Sequence, residues 1–144
     1  MILKFLVILS VIKISFLPLK FQDPPQQIVA AFQAKYGSVV PVWEKATGMH
    51  LAAFAQNGQQ FKAVFKDDAS FIRLDKLISF NQLPAAIQTD VNQRFGGSSN
   101  VVEVASFSDD SGNTCYRIRY QKGQSKVDVM YNSQNVIFQR AILE

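Results

Sequence analysis

The sequence predicts an α+β fold: two tandem repeats, each one helix followed by antiparallel strands, forming one antiparallel sheet with both helices packed on one face. Two observations lead there. The stretch PPQQIVAAFQAKYG, ending at Gly37, returns as LPAAIQTDVNQRFG, ending at Gly96, with Ile28, Phe32 and Tyr36 matched by Ile87, Val91 and Phe95. The residues after each copy alternate in the manner of strands. A lone helix on a small sheet buries too little, whereas two copies side by side can share a core.

Each copy reads as one helix, because its apolar residues recur at i, i+4 and i+8 and so line one face. Proline opens each copy and glycine closes it. Asp23 ahead of Pro24 and Pro25 suggests an Asp N-cap with proline in the first turn. Residues 39–45, VVPVWEK, are β-branched and aromatic, and Pro41 marks an edge or a bulge. His50, Ala52 and Phe54 alternate into the turn Asn57-Gly58, and Phe61, Ala63 and Phe65 alternate out of it, a hairpin with one greasy face. Asp67-Asp68 forms the next turn, and residues 70–80 are again extended.

The order then repeats. Val101, Val102 and Glu103 follow the second helix as Val42, Trp43 and Glu44 follow the first. Tyr116, Ile118 and Tyr120 stand for His50, Ala52 and Phe54, and Val127, Val129 and Tyr131 for Phe61, Ala63 and Phe65. The extra residues of the second repeat lie in the turn-rich segment 108–114, which lengthens one hairpin. Residues 23–144 therefore read as one domain made of repeats 24–80 and 83–142. Burial of Phe32, Tyr36, Phe54, Phe61, Phe65, Val91, Phe95, Tyr116, Tyr120 and Tyr131 is the main stabilising expectation, at roughly 1.5–3 kcal/mol per large side chain before entropy. The opposite face is expected to be open to solvent.

The chain has 144 residues, enough for one core, and a formal net charge of +4. Lys4, Lys13 and Lys20 lie in the first 22 residues, where there is no acid. The remaining 12 basic and 11 acidic residues leave +1. That near-neutral body removes the main support for nucleic-acid binding. Residues 1–22 read as an export signal, with a lysine near the start and then an apolar run, although Lys13 interrupts the run and no small-x-small cleavage site follows. An uncleaved anchor or a buried N-terminal segment is the alternative, and no stable membrane span is expected after export. Cys115 is the single cysteine, which excludes an intramolecular disulfide.

With the repeat in view, the chain resembles the PepSY-like family, exported bacterial proteins similar to beta-lactamase inhibitory proteins. The resemblance rests on the aromatic-Gly helix end Phe32-Gln33-Ala34-Lys35-Tyr36-Gly37, on Val42-Trp43-Glu44, on alternation into Asn57-Gly58, on Val64-Phe65, and on Leu83-Pro84-Ala85-Ala86-Ile87. It spans residues 24–142. It implies a periplasmic or secreted protein that binds or inhibits other proteins, peptidases among them, and it brings no catalytic residues.

The residues themselves carry little chemistry. His50 is the single histidine, so neither a His-rich zinc site nor a triad with histidine as base can be assembled. It reads as a structural histidine, and Cys115 as a structural thiol. Asp109-Asp110-Ser111-Gly112-Asn113 lacks the spacing of a twelve-residue calcium loop and reads as a hairpin turn. Trp43 reads as core or sheet edge. No catalytic residue, metal or cofactor is expected. The surface worth pursuing is the open sheet face, where strand alternation sets Lys62, Val64, Lys66, Arg117, Arg119 and Met130 away from the greasy side. Cations around apolar residues suit an interface with a protein or peptide of the cell envelope, and the other reading is a solvated face with charges for solubility. The expectation is a non-enzymatic exported binding module. The alternatives are a small envelope hydrolase using Glu44 or Glu103, and a small-ligand sensor.

Overall fold

The computed structural model describes residues 23–143, so the expected export signal at 1–22 lies outside the described residues. Helix α1 (Gln26–Tyr36) leads into strands β1 (Val42–Ala46), β2 (Met49–Gln56), β3 (Gln59–Lys66) and β4 (Phe71–Ile78). A 3₁₀ turn and helix α2 (Ala85–Arg94) follow, and then β5 (Val101–Ser108), β6 (Thr114–Lys122), β7 (Ser125–Tyr131) and β8 (Ile137–Leu143). All eight strands form one antiparallel sheet in chain order. No helix among the described residues is long and apolar enough to cross a membrane.

Local chemistry explains most boundaries. The β2–β3 turn places Asn57 at φ 52° and Gly58 at φ 75°, the left-handed pair a two-residue hairpin requires. Pro41 stands just before β1, an edge strand, where its missing N–H costs nothing. The expected Asp23 cap is not formed. Pro25 itself is the N-cap, in extended backbone, and its carbonyl accepts the N–H groups of Ile28 and Val29 at 2.9 and 3.3 Å. Asp23 lies two positions ahead of that N-cap, outside the position from which a side chain caps a helix.

The apolar core falls into two parts. In the first, Ile28 and Phe32 of α1 pack on Ala52, Phe54, Ala63 and Phe65, with Tyr36, Trp43, Phe61 and Leu74 around them. In the second, Ile87 and Val91 of α2 pack on Val104, Ile118, Val127, Val129 and Tyr131. Trp43 is thus a core residue, its ring edge-on to Phe32 at 5.6 Å.

Pairing between β4 and β5 is confined to Lys76–Ile78 against Val104–Ser106, a shorter ladder than any other in the sheet. The strands part beyond it, leaving an open cleft of about 410 Å³ lined by Gln60, Leu77, Ile78, Phe80, Val101 and Glu103 among others. The sheet is therefore two four-stranded halves joined by a narrow seam. Register irregularities at Val64/Phe65, Val101/Glu103 and Met130/Tyr131 add twist and bend.

Candidate functional site

On the central strands the side chains pointing away from the helices are buried, contrary to the expectation of an open face. Arg117, Asp75, Val64 and Ala105 are 0% exposed, Met130 4%, Lys62 5% and Arg119 9%. Among the described residues no helix covers this side. The sheet curls inward on it, so long side chains shield one another and the backbone beneath them. Of the six residues expected to meet a partner, Lys66 alone is exposed.

Charge accounts for what is held there. Lys62 Nζ on β3 lies 3.1 Å from Glu44 Oε1 on β1 and 2.7 Å from Glu103 Oε2 on β5, reaching over an intervening strand each way. Arg117 on β6 donates from Nε to Asp75 Oδ2 on β4 at 2.8 Å and from Nη2 to Glu103 Oε1 at 2.6 Å. Arg73 donates to the other Asp75 oxygen at 2.7 Å. Arg119 forms a fork with Asp128, at 2.8 and 3.1 Å. Four carboxylates and four cations thus make one network of zero net charge.

Two of these links, Lys62–Glu103 and Arg117–Asp75, cross the seam between β4 and β5. They fasten the halves where the backbone ladder is shortest. Buried ion pairs repay their desolvation only with good geometry and satisfied donors. The sole fully buried side-chain donor left without a hydrogen bond among the described residues is Arg117 Nη1, 3.6 Å from Asp128 Oδ1.

Burial would push the Glu103 carboxyl up, but Arg117 and Lys62 outweigh it and hold the group at about 2. Burial also opposes the Arg117 charge, and Asp75, Asp128 and Glu103 overcome that, raising its pKa above the ordinary arginine value. Both groups stay ionised across the physiological range. Phe107, Cys115 and Met130 form a small apolar cluster on the same side, with Arg73 over the Phe107 ring at 5.2 Å.

The remaining residues singled out by sequence have local roles. His50 is buried, with Nε2 3.0 Å from Asp67 Oδ1, and Lys45 Nζ meets the same oxygen at 2.7 Å. Cys115 is buried, and burial raises its pKa, which leaves the thiol protonated and unreactive. Asp109 accepts the backbone N–H groups of Ser111 and Asn113 at 2.9 and 2.8 Å, so it closes a hairpin turn. Glu44 and Glu103 share a structural task, since both hold Lys62.

Of the acids that neutralise Arg117 and Arg119, the sequence reading named Glu103 and missed Asp75 and Asp128. Asp128 was within reach: it alternates with Val127 and Val129 as Arg119 alternates with Ile118 and Tyr120, which places the two on one face. Asp75 is harder to find, because the irregularity at Val64/Phe65 shifts the alternation between β3 and β4.

No family model matches the chain, and no curated protein matches it. Solved structures do. A DUF2874 family protein from Bacteroides uniformis aligns over 82% of this chain and 88% of its own at 16% identity and a TM-score of 0.55. A proposed periplasmic protein from Bacteroides eggerthii aligns over 84% and 90% at 17% identity and a TM-score of 0.56. A BLIP-like protein from Bacteroides fragilis aligns over 85% and 89% at 19% identity and a TM-score of 0.50. At such identity the likeness is one of fold: the chain has a BLIP-like fold.

Proposed function

We propose that this chain is a non-enzymatic binding module of the cell envelope, exported to the periplasm or beyond, which holds a protein or peptide partner. The observation that carries the reading is the self-neutralised network on the inner side of the sheet. It makes a stiff, curved framework whose charges are already spent on one another. Contact residues then come from the rim and the hairpin turns, where Val42, Lys66, Asp68 and Asp110 are exposed. The BLIP-like fold and the resemblance to the PepSY-like family favour the same reading, as does the element order, which suits two diverged copies of one unit with helices on a common face. Inhibition of a peptidase is one consequence such binding could have.

A hydrolase has one observation in its favour, the position of Glu103 in the cleft at the seam. Its chemistry points the other way. A general acid needs a raised pKa, and Glu103 is held at about 2 by cations that would have to be displaced first.

The test is retention of proteins from a native envelope fraction on the immobilised chain, against a Val42→Glu, Lys66→Glu rim variant. Since both positions are exposed, the fold should persist. A specific partner lost with the variant supports binding by the rim. Hydrolysis of envelope peptides or glycans that disappears in Glu103→Gln would overturn the reading.

A further inference from the structure

We propose that the cleft between α2 and the β7–β8 turn binds a small carboxylate that carries an apolar body. The cleft measures about 330 Å³ and is lined by Ala86, Asp90, Arg94, Asn135, Val136 and Ile137. Small-molecule sites of this size are mostly apolar, with a few fixed polar groups that orient the ligand. It shares no lining residue with the seam cleft that holds Glu103.

The polar end of the cleft is built from the inside outward. Tyr131, 0% exposed, donates its hydroxyl hydrogen to Asp90 Oδ2 at 2.7 Å. The other oxygen, Asp90 Oδ1, accepts from Arg94 Nε one helical turn later. A buried hydroxyl thus fixes the carboxylate, and the carboxylate fixes the guanidinium. Among the described residues Arg94 is hydrogen-bonded through Nε alone, so both its Nη groups remain free donors. Two parallel Nη donors match the two oxygens of a carboxylate.

The first half shows that the fold does not require this arrangement. Ala31, Lys35 and Phe65 stand there in the places of Asp90, Arg94 and Tyr131, and Phe71 faces Phe65 as Ile137 faces Tyr131. Phe71 packs on Phe65 at 5.6 Å, and Lys35 Nζ lies over its ring at 4.2 Å. The cation of the first half is therefore engaged by a ring of its own chain. In the second half the smaller Ile137 replaces that ring, and an acid and a hydroxyl together hold the cation beside the open space.

Charge selects the sign of the ligand. Both Asp90 oxygens are already hydrogen-bonded, while Arg94 keeps free donors and Arg140 acts on the same Tyr131 hydroxyl. One acid against two guanidinium groups favours an anion over a cation. Ala86, Val136 and Ile137 then take the apolar body, and Val136 is 57% exposed without such cover.

Two probes separate the sources of such a carboxylate: acetyl-alanyl-valine, which mimics the C-terminus of a peptide, and isovalerate, a free branched acid. Each is titrated into the ¹⁵N-labelled full chain and followed through the backbone amide and Arg94 Nε–H resonances. At least one should give saturable shifts at Asn135, Val136, Ile137 and Arg94 Nε, and the tighter of the two identifies the source. The uncharged amide of that probe should bind about tenfold more weakly, because it loses the charge-assisted pair. Arg94→Gln should weaken the acid by a similar factor with thermal unfolding nearly unchanged, since its side chain is 59% exposed. Tyr131→Phe should move the Arg94 Nε–H resonance of the ligand-free chain and weaken the acid by a smaller factor. Equal binding of acid and amide, unchanged affinity in Arg94→Gln, shifts confined to the seam cleft around Val101 and Val104, or no saturation by either acid at about 10 mM would overturn the proposal. The rim test at Val42 and Lys66 reads a different surface and stands or falls separately.

Discussion

The first half of the sheet, β1–β4 under α1, and the second, β5–β8 under α2, solve the same burial problem with different side chains. In the first half, Phe32 is ringed by Tyr36, Trp43, Phe54 and Phe65 at centroid distances of 5.0, 5.6, 5.3 and 6.5 Å. In the second, Val91 takes the central place of Phe32, Phe95 packs on Tyr120 at 4.6 Å, and Tyr131, where the first half has Phe65, sends its hydroxyl to Asp90 Oδ2 at 2.7 Å. Burial and that hydrogen bond raise the Tyr131 pKa, keeping it a donor. The inner charged side is where the halves agree. Each contributes two acids and two bases: Glu44, Asp75, Lys62 and Arg73 from one, Glu103, Asp128, Arg117 and Arg119 from the other. The apolar cores are therefore free to diverge, while the charges that cross the seam must match.

The sharpest way to break this symmetry is at Arg117. Arg117→Ala leaves Asp75 buried without one of its two cations and removes a link across the seam, so a loss of about 3–5 kcal/mol in urea unfolding is expected. A joint change of Arg117 and Asp75 to apolar residues of similar volume should cost far less, because no uncompensated charge remains. Should the single variant lose under about 1 kcal/mol, the network is ornamental and the short ladder joins the halves unaided.

Acid probes the same seam without mutation. The folded pKa of Glu103 lies near 2 and its reference value is 4.5, so the folded state binds its proton later than the unfolded one. The stabilisation is fully present above pH 4.5 and is lost as pH falls from there towards 2. Its size is roughly 3 kcal/mol by linkage. Glu103→Gln should flatten the unfolding midpoint over that window. An unchanged acid profile would mean that the carboxylate gains nothing from Lys62 and Arg117.

These outcomes bear on what could be read from the chain. Helix faces and most strand residues were legible because Ile28, Phe32, Ile87 and Val91, and the alternating residues of β2, β3, β6 and β7, obey fixed periods. Six of the ten expected core residues are buried, and Tyr36, Phe61, Phe95 and Tyr116 are half-buried at the margins. The face of Lys62, Arg117 and Arg119 was also legible, since parity alone sets it. Their burial was not. It depends on curl, to which irregular pairing at three places contributes, and on Asp75, whose parity the irregularity in β4 disguises. Alternation assigns a side to a residue and is silent on how tightly the sheet closes over that side.

The smallest predicted effect concerns a turn the two halves share. In the first half the backbone N–H of Ala69 donates to the Lys66 carbonyl at 3.0 Å, and that of Lys66 to the Ser70 carbonyl at 2.9 Å. In the second, Asn135 donates to Asn132 and Asn132 to Val136 at 2.9 Å each, the same arrangement. Both turns need a left-handed residue: Asn135 has φ 62° and Ala69 has φ 69°. Asparagine visits that region readily, whereas for alanine it costs roughly 1–2 kcal/mol, because Cβ crowds the following carbonyl. Ala69 also packs at the edge of the α1 core, which partly offsets the strain. Ala69→Asn should therefore raise stability by about 0.5–1 kcal/mol, and Ala69→Gly by less, because glycine frees the unfolded chain. Urea midpoints of the two variants and of Asn135→Ala, which should move the opposite way, decide whether strain or packing governs the first turn.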